Sequence, residues 1–259
     1  YLEKVQVNSS TPGNNGDTGW FLQKTHVDGE LEWVGVQLDQ TAMPIMLAWK
    51  LHQADVLSDK ELKTWYGKML KPAADFLVDG GLAKILWNDT QITPPATQQE
   101  RWEEQEGYSP STTAAIVAGL ITASDIATLS GDDKNAKRYL ETAKKYNSEI
   151  ESQMFTTEGN LKGESTDGEY FIRIGQDTDA NSNTKINANN GREGFNKKQI
   201  LDGGFLELVR YGVRGANDES IVKTLPEYDD ETLEDNLQVK YSFSFEAVSY
   251  THLRAHETK

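Results

Sequence analysis

The chain has 259 residues, no cysteine, and 41 acidic against 26 basic side chains, for a formal net charge of −15. That balance argues against a nucleic-acid partner, whose phosphates would be repelled. The absence of cysteine excludes a disulfide framework or thiolate metal site and leaves the compartment open. Hydrophobic residues at 37%, with six Trp and ten Tyr, give core material for one large domain or two ordinary ones, and no run is expected to reach the roughly 18 apolar residues of a membrane span.

The opening "YLEKVQ" reads as the end of a helix, without an initiator Met or signal peptide, and suggests an internal piece of a larger protein. Residues 8–19, "NSSTPGNNGDTG", are turn chemistry throughout. "LDQTAMPIMLAWKLHQ" (38–53) reads as an apolar helix with Pro44 near its first turn or kinking it. Residues 58–79 read as an amphipathic helix opened by a capping box of Ser58 and Glu61, and "GGLAKILWNDTQITPPATQQ" as a loop region. Ser109 and Pro110 supply an N-cap and a first-turn proline for the almost uncharged helix 111–129. A strongly amphipathic helix over 132–155 follows. Residues 156–200 are polar, with a short strand expected at 169–175, and "DGGFLELVRYGV" (202–213) reads as a third apolar helix.

Apolar helices thus alternate with amphipathic ones. A helix apolar on all faces must be surrounded by protein, so the pattern fits two concentric layers, an all-α α/α barrel, or an irregular helical bundle. A loop of unusual chemistry precedes each apolar helix: "WVGVQLD" with Trp33, Gln37 and Asp39, then "ERWEEQEGYSPS", then "QILDGG" with Asp202. If the apolar helices run parallel, these loops gather at one end. Indoles stack on sugar rings and carboxylates and amides bind hydroxyls, so the inventory favours a carbohydrate over a phosphorylated ligand. Glu100, Glu103, Glu104 and Glu106 crowd around Trp102. They are either a solvated acidic turn, which a helix N-terminus favours, or they include a carboxyl kept protonated beside Trp102, able to give its proton to a leaving oxygen. Trp33, Gln37, Asp39 and Asp202 likewise have ordinary alternatives as a core aromatic, a buried amide and helix caps.

"RWEEQEGYSPSTTAAIVAGL" resembles the general-acid segment of glycoside hydrolase family 15, the glucoamylases and glucodextranases. "THVDGELEWVGVQLDQTAMPIMLAWKL" and "LDGGFLELVRYGV" are similar to two of its barrel segments, and the likeness runs in order over roughly residues 1–246. The resemblance implies an (α/α)6 barrel over 1–247, incomplete because the chain is a fragment. It also implies an inverting, exo-acting α-glucosidase that releases β-D-glucose from non-reducing ends of α-glucans or oligosaccharides. By motif, Glu103 is the implied general acid. Trp102 is a stacking residue, Glu104 a sugar-binding neighbour, and Trp33, Gln37 and Asp39 line or support the substrate pocket. A trehalase-like member of the family and a non-catalytic sugar-binding toroid remain alternatives.

The water-activating base that an inverting glycosidase needs, usually about 6.5–9.5 Å from the acid, lies in the family beyond the matched region. The fragment alone is therefore expected to be inactive, poorly stable and aggregation-prone. The parent is expected to be secreted and monomeric. Residues 248–259 read as a non-native tail; His252 and His256 there lack the further ligands of a metal site. No cofactor is implied, although the Asp- and Asn-rich loop 176–190 suits calcium by composition.

Overall fold

A computed structural model describes residues 1–103, 105–188, 192–233 and 238–239. The chain divides into two compact units, Tyr1–Gln98 with Ala115–Asn147, and Gln99–Ala114 with Ser148–Lys259. Helix dominates, at 46% of the described residues. The expectation of an all-α chain omitted five two-stranded sheets among the described residues.

In the first unit a short helix α1 (Leu2–Val5) precedes an antiparallel hairpin of β1 (Leu22–Thr25) and β2 (Leu31–Val36), which sets Trp33 opposite Lys24. Much of the stretch expected as a loop before the first apolar helix is therefore strand. Its aromatic and β-branched residues suit a pleated edge, and Asp28 with Gly29 (φ 95) makes the reversal. Helix α2 (Leu38–Gln53) carries Pro44 in its second turn. It buries Leu38, Ala42, Ile45 and Ala48 and leaves Met43 and Leu47 exposed.

Helix α3 (Asp59–Trp65) opens on the expected capping box: the Ser58 hydroxyl accepts from the Glu61 N–H, and the Glu61 carboxylate accepts from the Ser58 N–H at 2.9 Å. A π-helical turn over Tyr66–Leu70 then leads into α4 (Lys71–Asp79). Pro72 explains the change of winding, since it has no N–H to give the preceding turn and its ring crowds a carbonyl there. Next comes a hairpin of β3 (Gly81–Ile85) and β4 (Asn88–Ile92), where a loop was expected. Asn-Asp-Thr-Gln-Ile is a poor strand sequence and Leu-Trp is not a recognised hairpin turn, so the pairing left little local trace. Gly80 (φ 66) makes the junction; a Cβ there would fall 2.1 Å from the Ile92 carbonyl oxygen.

Helix α5 (Pro110–Leu129) begins at the expected proline, and α6 (Asp133–Met154) follows it; both contribute residues to both units. Contrary to the sequence expectation, α5 is by length and composition apolar enough to cross a membrane. In the fold 67% of its most apolar window is buried inside protein, as a core helix requires. Within the first unit α5 approaches α2 closely: a Cβ on Gly119 would come within 2.9 Å of the Ala42 Cβ.

The second unit contains antiparallel β5 (Phe155–Thr156) with β6 (Tyr170–Phe171) and β7 (Lys185–Ala188) with β8 (Arg192–Asn196), then β9 (Leu201–Asp202). The expected strand 169–175 thus shrinks to two residues. A 3-10 turn (Gly203–Phe205), α7 (Leu206–Arg210) and α8 (Glu219–Asp229) follow, and β10 (Gln238–Val239) pairs parallel with β9. The expected helix 202–213 is cut to five α-helical residues. Gly212 (φ 74) closes it, with Val213 N–H bonding the Leu208 carbonyl and Gly212 N–H that of Val209, a Schellman ending. Ala114, Ile150, Met154, Phe171, Phe205, Leu208 and Ile221 form this unit's core. Residues 248–259, with His252 and His256, lie outside the described residues.

Candidate active site

The acidic stretch that follows Gln99 folds as a tight turn in the second unit. Glu103 N–H bonds the Glu100 carbonyl at 2.7 Å, Glu100 N–H bonds the Gln105 carbonyl at 3.2 Å, and Glu103 takes a left-handed φ of 63. A residue with a Cβ pays about 1–2 kcal/mol for that conformation, so other contacts must hold the turn. Three do. Trp102 donates its indole N–H to the Asp202 carboxylate and packs on Ile174, Ile186 and Ile200. Arg173 donates from Nη2 to Glu100 Oε1 at 2.7 Å, with both side chains 1% exposed. Gln105 exchanges two hydrogen bonds with the backbone of Asn187 on β7, at 2.6 and 2.9 Å.

Around the Trp102 ring the charges are dense. The guanidiniums of Arg101 and Arg173 lie 5.8 and 6.0 Å from its centroid, within cation–π range. Asp202 is buried, and its Oδ1 accepts from the Gly204 N–H at 2.9 Å, capping the 3-10 turn. It therefore caps that turn, as its ordinary alternative held, and also anchors the indole. Burial pushes the Glu100 carboxyl up to about 7, against the pull of Arg173 and with the help of the Asp202 charge. Two of the three loops singled out in the sequence, those of Trp102 and Asp202, thus meet.

Glu103 itself is exposed, whereas the sequence suggested a partly desolvated carboxyl; the desolvated one is Glu100. Glu104 lies outside the described residues. Trp33, Gln37 and Asp39 belong to the first unit. Trp33 on β2 is 43% exposed, and its ring centroid is 4.8 Å from that of Trp87. Gln37 and Asp39 are buried at the start of α2, where Asp39 Oδ1 accepts from the Gln40 N–H. In the loop suggested for calcium, the Lys197 ammonium bonds Asp177 Oδ1 at 2.6 Å and also the Asp179 carbonyl. Burial alone would raise the Asp177 carboxyl, but its bonds from Lys197, Thr184 and Ser182 hold it well below the usual range. Among the described residues no group of three His, Asp or Glu side chains could hold a metal ion.

Comparison with known proteins matches the chain to a family. The sequence model of Glycosyl hydrolases family 15 covers residues 3–255. The chain belongs to that family. A glucoamylase of Clostridium sp. (strain G0005) is 38% identical over 209 residues, which is 81% of this chain and 26% of the relative. A bacterial glucoamylase solved in complex with acarbose superposes with a TM-score of 0.69 at 37% identity, over 82% of this chain and 27% of that one. The chain therefore spans about a quarter of the length of these family 15 relatives.

Two anchors of the family 15 segment escaped the sequence reading, Glu100 as an ion-pair partner and Arg173. A signal existed for the second: in "EYFIRIG" a lone arginine sits in an apolar run, and a buried charge needs a partner. Nothing local marked Glu100 among its acidic neighbours, because its partner lies 73 positions away.

Proposed function

We propose that this chain carries the proton donor of an inverting, exo-acting α-glucosidase of the glucoamylase or glucodextranase type, with α-glucans or oligosaccharides as substrate. Glu103 protonates the glycosidic oxygen as the bond to the anomeric carbon breaks, while water adds from the opposite face and leaves β-D-glucose. The carrying observation is the turn: Glu103 stands exposed on a segment tied down by Trp102 to Asp202 and by Glu100 to Arg173. A general acid has to be reachable and fixed at once, and this mount provides both. Trp102 and Trp33 stack on sugar rings, and Gln37, Asp39 and Glu104 bind or support hydroxyl contacts. The identity to glucoamylases supports the substrate class.

In this reading α2, α5 and the short helix after Gly204 are inner helices of an (α/α)6 barrel. The water-activating carboxylate comes from sequence outside the chain, so the chain alone is not expected to hydrolyse. In the same reading the parent protein is secreted and acts on α-glucans outside the cell.

The test is made in the polypeptide that carries this chain together with its base. Glu103→Gln is expected to slow glucose release from maltotriose by about 10²–10⁴-fold. Hydrolysis of α-glucosyl fluoride, whose leaving group needs no proton, should fall far less. Equal losses on both substrates, or no loss, would remove Glu103 from the role of acid. The first-formed anomer, read by NMR, should be β; an α product would overturn inversion. Cleavage of trehalose in place of maltotriose would favour the trehalase-like member.

A further inference from the structure

The β3–β4 hairpin pairs Ile85 with Asn88 and turns through two residues, Leu86 and Trp87. Two-residue hairpin loops favour Asn-Gly or Asp-Gly, because left-handed φ values are needed. Here Leu86 adopts φ 51, and the loop holds two large apolar side chains in solvent, Leu86 66% and Trp87 53% exposed. Turn preference explains neither choice. Strain and exposed apolar surface at one tip point to a binding role.

Trp33, from the other hairpin of the first unit, stands beside this tip. The two indoles are 4.8 Å apart between centroids and inclined at 53°. Their relative position is fixed from below. Asn88, next to Trp87 and only 2% exposed, donates to the Val34 carbonyl next to Trp33 at 2.7 Å. Gln98 donates to Asn88 Oδ1 at 3.0 Å and accepts from the Val36 N–H at 3.0 Å, so one amide ties both hairpins together. The rings are thus set before any ligand arrives, which reduces the ordering cost of binding. Exposed ion pairs lie on the same two hairpins, Lys24 with Glu32 and Lys84 with Asp89, and their side chains are of a kind that hydrogen-bonds hydroxyls.

We propose that Trp33 and Trp87 form a two-ring trough that holds successive glucosyl units of an α-linked glucan, with Trp87 extending the grip beyond the single sugar that Trp33 can cover. Successive α-linked units are turned relative to one another and match inclined rings, whereas a β-1,4 chain presents a flat ribbon. This rests on the α-glucan reading above.

The probe is maltohexaose, titrated into the longer polypeptide that carries this chain, with Glu103→Gln as the background to stop turnover, and followed by tryptophan fluorescence and calorimetry, with cellohexaose as the counter-ligand. Trp87→Ala is expected to weaken maltohexaose binding about tenfold, the size of one aromatic contact, while maltose is affected little. Trp87→Phe, which keeps a ring, should retain most of the affinity. Circular dichroism melts matching the wild type exclude loss of fold. Unchanged affinity in Trp87→Ala would overturn the trough and leave the α-glucan reading standing. Tighter binding of cellohexaose than maltohexaose, or no binding of maltohexaose with Trp87 in place, would overturn both.

Discussion

Trp102 and Asp202 are a hundred positions apart in sequence, yet the indole N–H of one bonds the carboxylate of the other. The same carboxylate caps the turn at Gly203 and Gly204 through its second oxygen. One buried side chain therefore joins the strained turn at Glu103 to the start of the α7 region.

That double duty is testable. Trp102→Phe keeps a ring but removes the donor, and leaves one oxygen of buried Asp202 without it. The expected cost is about 1–3 kcal/mol, read by urea denaturation. Asp202→Asn offers only one acceptor oxygen and must forfeit either the indole or the Gly204 N–H, so it should also destabilise. Unchanged midpoints for both variants would mean that the bond does not hold the turn.

Arg173→Met should be destabilising in a pH-dependent way. Removing one partner of a buried ion pair costs about 3–5 kcal/mol when the other stays charged. Without Arg173 the Glu100 carboxyl, already raised by burial to about 7, moves higher still and takes up a proton in mildly acidic solution. The loss is therefore largest at pH 8 and smaller at pH 5. Equal destabilisation at both values would separate Glu100 from the effect.

The wild type has its own pH signature. Glu227 is buried, accepts N–H bonds from Asp167 and Gly168 at 2.8 and 3.3 Å, and has no partner for Oε2 among the described residues. Burial pushes its carboxyl up to about 7, outweighing those two bonds, and the nearby Asp167 charge adds to the rise. Glu100 and Glu227 thus hold protons in the fold up to about pH 7, against an ordinary 4.5 in the unfolded chain. Between those values the native state binds more protons than the unfolded one, so stability is present below the window and is lost as pH rises through it. The thermal midpoint should fall by a few degrees from pH 5 to pH 7.5, and Glu227→Gln should flatten the slope. A midpoint that climbs over this range would contradict both assignments.

Much of the helical framework was legible because its signals are local. Ser58 with Glu61, Pro110 at a helix start, and the charge stripe of α6 each act within one or two turns. The apolar character of α5 was equally plain, though its fitness to span a membrane by composition was overlooked. The β3–β4 hairpin was not legible, because Leu86 and Trp87 break the turn code and Asn88 serves a long-range bond in place of strand propensity. At the candidate site the motif around Trp102 singled out the loop that Asp202 and Arg173 tie down, but those anchors did not declare themselves. Which of four neighbouring carboxylates is buried depends on Arg173, and a guanidinium far along the chain leaves no mark on local spacing.

The left-handed backbone at position 103 has an evolutionary corollary. Glycine would relax that φ, and every selection for mere robustness would push the site toward it. Glycine has no acid to offer. If the carboxyl there is the proton donor, endurance and chemistry compete at a single codon, and heat-hardened variants of this protein would have to find their gains elsewhere, in the struts that hold the turn.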